Sequence, residues 1–165
     1  MQRGITIFVK WAEDNKNCRK IYKDKKAINN LVRYVLDKAI YIGGKGVPLH
    51  KGIEEIAKEF KWLKKEAGKT NERQCYHLIV SFRDVHDSEE VFRVIKKMTT
   101  KIFPQMQYVY GIHADSKKIH AHLIINSVTY ADGFKKIHLS REEEKQLLNA
   151  IEDYCIECLG ELIGT

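Results

Sequence analysis

Alternating apolar and polar residues predict four β-strands along the chain. The segments GITIFVKW (4–11) and CYHLIVSF (75–82) alternate and are rich in β-branched and aromatic residues. Two further segments, MQYVYGIHAD (106–115) and IHAHLIINSVTY (119–130), are separated by a short polar SKK sequence. The short separation predicts that these last two strands form a tight antiparallel hairpin.

Apolar residues at helical spacing predict four helices, in the segments 24–39, 53–69, 87–103 and 140–160. YIGGKGVP (41–48) is interpreted as a glycine-rich stop after the first helix, and Gly160 as the stop after the last. The resulting order, β-α-α-β-α-β-β-α, predicts an α/β two-layer sandwich with a mainly antiparallel sheet covered by helices on one face. One domain over residues 1–165 is the expectation for this length.

The two faces of the predicted sheet differ in chemistry. In the second and fourth strands one face is apolar and suits a helical cover, whereas the other carries His77, Ser81, His120, His122 and Asn126. Helices packed on polar side chains would leave them without hydrogen-bond partners, at a cost in free energy. We therefore expect the polar face to be open and functional.

Charge narrows the range of partners. The chain has 29 Lys and Arg against 22 Asp and Glu, a net charge of +7, which favours nucleic acid first and an anionic membrane surface second. No apolar segment is long enough for a signal peptide or a transmembrane span, so a cytoplasmic protein without membrane insertion is expected. The four cysteines are too few for a disulfide scaffold, and Cys155 and Cys158, on one helix, are predicted to be buried or bystander thiols rather than a redox or zinc pair.

The hairpin segment HADSKKIHAHLIIN (113–126) carries three of the seven histidines. His120 and His122 project from the same strand face, and a tight hairpin brings His113 within ~5 Å or one diagonal step. Three neutral imidazoles that leave coordination positions free predict a catalytic metal site; surface histidines on a basic hairpin are the alternative. Asp115 could orient a ligand imidazole or assist a proton transfer.

The spacing His113-x-Asp115-x4-His120-x-His122-x3-Asn126 resembles the signature of the conjugative and mobilisation relaxases (MobA-like relaxases) of the HUH endonuclease superfamily. NLVRYVL (30–36) resembles the segment that bears the family's nucleophilic tyrosine. YHLIVSF (76–82) and DGFKKIHLSREE (132–143) resemble further family segments, so the resemblance covers nearly the whole chain.

The resemblance implies an RRM-like fold with an open sheet face that binds DNA. It implies that His113, His120 and His122 hold a divalent metal and that Tyr34 attacks single-stranded DNA at a plasmid or transposon transfer origin. The family works with Mg or Mn, whereas three histidines alone also suit Zn, Ni or Co. Attack would leave a 5′-phosphotyrosyl intermediate that can be rejoined without a nucleotide cofactor. The resemblance also implies a location in the bacterial cytoplasm. The partners it implies are relaxosome accessory proteins and a coupling protein.

The position of Tyr34 on the predicted helix also suits an accessible side chain. It falls roughly 120° from the centre of the apolar stripe formed by residues such as Val32 and Val35, so its ring is expected at the rim or in solvent. A tyrosine hydroxyl is largely protonated at neutral pH, so attack needs a proton acceptor and a nearby cation. Asp115 is the candidate for assisting deprotonation.

Five side chains are predicted to contact DNA. Three lie on the polar sheet face and two at the hairpin tip, where they could bind phosphates or base edges: His77, Ser81, Asn126, Lys117 and Lys118. Binding is expected to weaken steeply with salt because phosphate neutralisation releases counterions.

Three alternatives stay open at the level of sequence. Single-tyrosine transposases and replication initiators of the same superfamily place the nucleophile after the histidines, where Tyr154 lies. Tyr22 and Tyr41 are neighbours of Tyr34 that could replace it. A third reading is a non-catalytic single-stranded nucleic-acid-binding module, although the central strands lack the aromatic pairs with which RRM domains stack bases.

Overall fold

The computed structural model describes residues 6–12, 26–68, 73–130 and 137–163. Its strands are β1 (Ile7–Trp11), β2 (Tyr41–Lys45), β3 (Cys75–Phe82), β4 (Met106–His113) and β5 (Ile119–Thr129). Its α-helices are α1 (Ala27–Asp37), α2 (Ile53–Glu66), α3 (Ser88–Ile102) and α4 (Arg141–Ile163), and a 3-10 turn spans Leu49–Lys51. The strands form one antiparallel sheet in the order β1-β3-β5-β4-β2. The predicted α/β fold with an antiparallel sheet is confirmed.

Helices α3 and α4 cover the apolar face of the sheet, as the alternation predicts. The shared core contains Leu78, Val80 and Phe82 of β3 and Ala121, Leu123 and Ile125 of β5, packed on residues of α3 and α4 such as Val94, Ile95, Met98, Ile151 and Leu159. We call this side of the sheet the first face. Among the described residues, this face carries the larger of two clusters of buried apolar side chains.

Helices α1 and α2 pack on the opposite, second face, which corrects the expectation that this face is open throughout. Their apolar stripes meet Cys75, Val109 and Ile124 in a separate core that includes Ile28, Val32, Val35, Ile56 and Phe60. Both helices are amphipathic and must bury one stripe, and the first face is already filled by α3 and α4. The second face is therefore open only in part.

Strand β2 was not predicted, because the two adjacent glycines in its sequence YIGGK favour a turn. It pairs antiparallel with β4 and forms an edge of the sheet, with Gly43 opposite Tyr110. A Cβ atom at Gly43 would lie 2.3 Å from the Tyr110 ring, so glycine permits a close approach here. Glycine is a weak strand former but fits edge positions where another group packs closely.

Helix α4 starts with a capping box and runs farther than predicted. Glu143 N donates to Ser140 Oγ (3.1 Å) and Ser140 N donates to Glu143 Oε1 (3.3 Å). The helix continues through Gly160 to Ile163, because one glycine costs only about 1 kcal/mol and the neighbouring Leu159 is buried in the core. None of the helices in the described ranges is long and apolar enough to cross a bilayer.

The two cysteines of α4 are confirmed as buried thiols. Cys155 and Cys158 both lie in the core against the first face. Burial raises the pKa of the Cys155 thiol to about 12, so it stays protonated and unreactive at neutral pH.

Candidate functional site

The β4–β5 hairpin brings the three predicted histidines together. His113 lies opposite His120 in the strand register, and Gly111 lies opposite His122. The ring centroids are 4.7 Å apart for His113 and His122, 4.9 Å for His120 and His122, and 5.4 Å for His113 and His120. One nitrogen of each ring lies within 4.8 Å of the others, and this is a group that could hold a metal ion.

Backbone carbonyls fix the orientation of two of these rings. His113 Nε2 donates to the Val35 carbonyl (2.7 Å), and His120 Nδ1 donates to the Lys118 carbonyl (3.0 Å). A carbonyl only accepts hydrogen bonds, so each of these nitrogens carries a proton. The remaining nitrogens, His113 Nδ1 and His120 Nε2, therefore hold a lone pair in the neutral ring.

The third ring, His122, is oriented by another histidine. Its Nδ1 lies 2.8 Å from His77 Nε2, while its Nε2 is buried and has no hydrogen-bond partner among the described residues. Burial lowers the pKa of His122 to about 2, aided by repulsion from His77, His113 and His120. Burial likewise lowers the pKa of His77 to about 4. Both rings are therefore neutral at pH 7.

The donor set fits a divalent metal ion. Neutral imidazole nitrogens are common metal ligands, and a second hydrogen bond on each ring is the usual way in which proteins aim them. The buried Nε2 of His122 is costly without a partner, and an ion would supply one. His113 Nδ1, His120 Nε2 and His122 Nε2 are the atoms that would hold it.

Tyr34 lies directly beside this cluster. Its side chain is 52% exposed, in agreement with its position off the apolar stripe of α1. The ring centroid is 5.1 Å from that of His122 at an interplanar angle of 87°, 6.0 Å from that of His113 and 6.2 Å from that of His77. The structure thus brings Tyr34 next to three histidines that lie far from it in the sequence.

A glycine and a helix carbonyl set the position of α1 on the sheet. A Cβ atom at Gly111 would lie 2.4 Å from the Val35 carbonyl oxygen, so only glycine allows this approach. Val35 lies in the last turn of α1, where carbonyls lack an intrahelical partner, and its oxygen accepts from His113. The residue next to Tyr34 therefore holds one of the three imidazoles.

Asp115 does not join this group. Strand β4 ends at His113, so the alternation that placed Asp115 on the same face does not extend that far. Asp115 is exposed and forms an ion pair with Lys38 (3.9 Å). Within the described ranges, no hydrogen bond or ion pair joins Asp115 to Tyr34 or to the three histidines.

Two of the five predicted DNA contacts are corrected by burial. Asn126 is 0% exposed, and its Nδ2 donates to the Phe60 carbonyl (3.1 Å) and to Gln107 Oε1 (2.8 Å), which ties β5 to α2 and β4. His77 is 4% exposed and bonds to His122, so it orients that ring instead of facing DNA. The apolar residues around His77 in YHLIVSF were the signal that a buried central strand was present.

The other three predicted contacts are not fully buried. Ser81 is half-buried and lies opposite His120 in the register of β3 and β5. Lys117 and Lys118 are exposed in the hairpin turn. Their positions are compatible with contact to a DNA backbone that passes over the histidines.

The sheet separates two rival tyrosines from the histidines. Tyr154 is half-buried on α4 and packs against the core of the first face. Tyr41 stacks on Phe92 of α3, with centroids 5.2 Å apart, and packs against the same core. The histidines project from the second face, so neither hydroxyl belongs to their surroundings. Tyr22 lies outside the described residues.

The comparisons with known proteins agree with this geometry. The family model "Relaxase: MobA/VirD2-like, nuclease domain" matches residues 34–158, a range that begins at Tyr34 and includes the histidine hairpin. No curated protein matches the chain. Members of this family are DNA-nicking enzymes that bind single-stranded DNA. Because the match covers well over half of the 165 residues, the chain belongs to the MobA/VirD2-like relaxases and contains their nuclease domain.

Proposed function

We propose that this relaxase nicks one strand at a plasmid or transposon transfer origin, with Tyr34 as the nucleophile and a divalent metal as the cofactor. The observation that carries the proposal is the exposed Tyr34 ring beside His113 and His122 at the open part of the second face. The excess of positive charge favours the DNA strand as the substrate. Relaxosome accessory proteins and a coupling protein in the bacterial cytoplasm are the partners that this function implies.

The reaction is a transesterification at phosphorus. The Tyr34 oxygen forms a bond to the scissile phosphorus, the bond to the 3′ oxygen breaks, and a 5′-phosphotyrosyl DNA results. The phenolic proton passes to a base or to water, and the departing 3′ oxygen takes up a proton. Because one phosphodiester replaces another, the 3′-hydroxyl can attack back and rejoin the strand without a nucleotide.

The three imidazoles supply the metal site. A divalent ion, Mn or Mg by analogy with the family and Zn, Ni or Co by ligand type, would polarise the scissile phosphate and offset its developing charge. The Val35 and Lys118 carbonyls and His77 hold the three rings in position. These contacts are in place before DNA arrives, so the site is preorganised.

A covalent-capture experiment tests the proposal. The protein is incubated with Mn²⁺ and a pool of random single-stranded oligonucleotides, and adducts are isolated on a denaturing gel. We expect an adduct that retains a label at the 3′ end of the DNA and loses a label at the 5′ end, because the tyrosine keeps the 5′ phosphate. Sequencing the attached DNA together with the released 5′ fragments gives the sequence on both sides of the cleaved bond, and peptide mapping identifies the tyrosine.

Two outcomes would contradict this mechanism. An adduct that maps to Tyr154 would move the nucleophile to the first face and favour the transposase or initiator alternative. Tight single-strand binding without any adduct would favour the non-catalytic module.

Replacing His77 tests how the metal site is held. His77→Leu removes the group that bonds to His122 Nδ1, whereas the side-chain oxygen of His77→Gln can still accept from it. We expect His77→Leu to weaken Co²⁺ binding roughly 10- to 100-fold and His77→Gln to weaken it much less. Titration calorimetry without DNA measures both, with unfolding temperatures as a control for the fold. Equal affinity in the two variants would show that His77 only fills space.

A further inference from the structure

Strand β1 presents an aromatic ring to solvent on the same face as the histidines. Its neighbours in sequence, Ile7 and Val9, pack on the first face, so Phe8 projects from the second. Phe8 is 48% exposed, and within the described ranges α1 and α2 pack on this face mainly against β4 and β5. A phenylalanine at this position does not contribute to either core.

The strand register aligns Phe8 with the candidate metal site. Phe8 lies opposite Ser81, Ser81 lies opposite His120, and His120 lies opposite His113. These four side chains form one row across the second face. Adjacent strands are about 4.8 Å apart, and β3 lies between β1 and β5, so the backbone of Phe8 is about 10 Å from that of His120. That distance is short enough for the DNA beside a phosphate at the histidines to reach Phe8.

Two cations flank the ring. The Arg83 guanidinium carbon and the Lys118 Nζ each lie 5.6 Å from the Phe8 ring centroid, and both residues are exposed. Lys10, two residues farther along β1, is also exposed and lies opposite Ile79, which in turn lies opposite His122. Positive charge next to an accessible ring is the combination by which proteins hold single-stranded nucleic acid.

We propose that Phe8, Arg83 and Lys118 form a nucleotide subsite in which a base of the bound strand stacks on Phe8 and its phosphate pairs with the two cations. The subsite deepens the proposed function, and only its place next to the scissile phosphate rests on that function. Stacking accepts any base, so the subsite anchors the strand without reading its sequence.

Affinity measurements with two matched ligands test this subsite. An oligothymidylate and a fully abasic oligomer of equal length carry the same phosphates, but only the first has bases to stack. We expect Phe8→Leu to weaken oligothymidylate binding roughly 5- to 100-fold and to leave binding of the abasic oligomer nearly unchanged. Phe8→Trp should keep the preference for bases. Trp62→Leu, at an exposed aromatic on α2, is the matched control and should change nothing.

Replacing one of the cations should change binding in a different way from replacing Phe8. Arg83→Gln should weaken binding of both ligands and reduce the magnitude of the slope of log affinity against log salt by about 0.7, since one phosphate contact to a single strand is lost. Unchanged oligothymidylate affinity in Phe8→Leu, or an equal loss for both ligands, would overturn the subsite. None of these measurements involves cleavage. If Tyr34 proves not to be the nucleophile, the subsite can still stand, and if the subsite fails, nicking by Tyr34 is unaffected.

Discussion

Tyr34→Phe is expected to abolish the covalent DNA adduct and to lower the nicking rate by roughly 1,000-fold or more, because it removes the attacking oxygen. The ring itself remains, so its contacts with His113 and His122 persist. The variant should therefore fold, bind metal and bind single-stranded DNA like the wild type. The rate is measured on an intact, end-labelled oligonucleotide that carries the cleavage sequence identified by covalent capture.

Two matched variants control for the loss of a tyrosine hydroxyl. Tyr154→Phe and Tyr41→Phe change the tyrosines that pack on the first face, and both should nick at the wild-type rate. Full activity of Tyr34→Phe would end the assignment. A surviving adduct in that variant would be mapped by peptide analysis, and Tyr22 would be the first residue to test.

His122→Leu is expected to lower metal affinity by at least about 100-fold and to abolish nicking. It removes a ligand, a larger change than the loss of a group that only orients one, for which about 10- to 100-fold is usual. Leucine also removes the buried Nε2 that lacks a partner, which offsets the loss of the bond to His77, so the fold should persist. Calorimetry with Mn²⁺ or Co²⁺ measures the affinity, and circular dichroism checks the fold.

A chelator and a second histidine provide the controls. Wild-type enzyme treated with a chelator should behave as His122→Leu does, and added Mn²⁺ should restore only the wild type. His50→Leu changes an exposed histidine of the 3-10 turn and should leave metal affinity and nicking unchanged. Nicking that persists both in the chelator and in His122→Leu would contradict the metal requirement.

The sequence predicted those parts of the site that depend on local geometry. Alternation along one hairpin placed His120 and His122 on one face and His113 beside them, and the helical period placed Tyr34 off the apolar stripe. The parts it missed depend on packing between distant segments. The burial of Asn126 requires α2, which comes from far upstream.

Other errors have equally specific causes. Gly43 and Gly44 indicated a turn, yet they form an edge strand, because the Tyr110 side chain and the backbone of β4 approach too closely for a Cβ atom. Asp115 was placed by extending a strand that ends at His113. The bond between His77 and His122 joins two strands that alternation treats separately, so no period of either strand alone could predict it.

The contact between α1 and the hairpin has a consequence for how the enzyme matures. The three imidazoles come from one hairpin, whereas the hydrogen bond from His113 to the Val35 carbonyl spans 78 residues. Contacts between neighbours in sequence cost little loop-closure entropy and tend to form before distant ones. The hairpin is therefore expected to bring the three imidazoles together early, and Tyr34 joins them only when α1 docks. On this argument the proposed site is complete only after α1 has docked on the hairpin, so its assembly is a late step of folding.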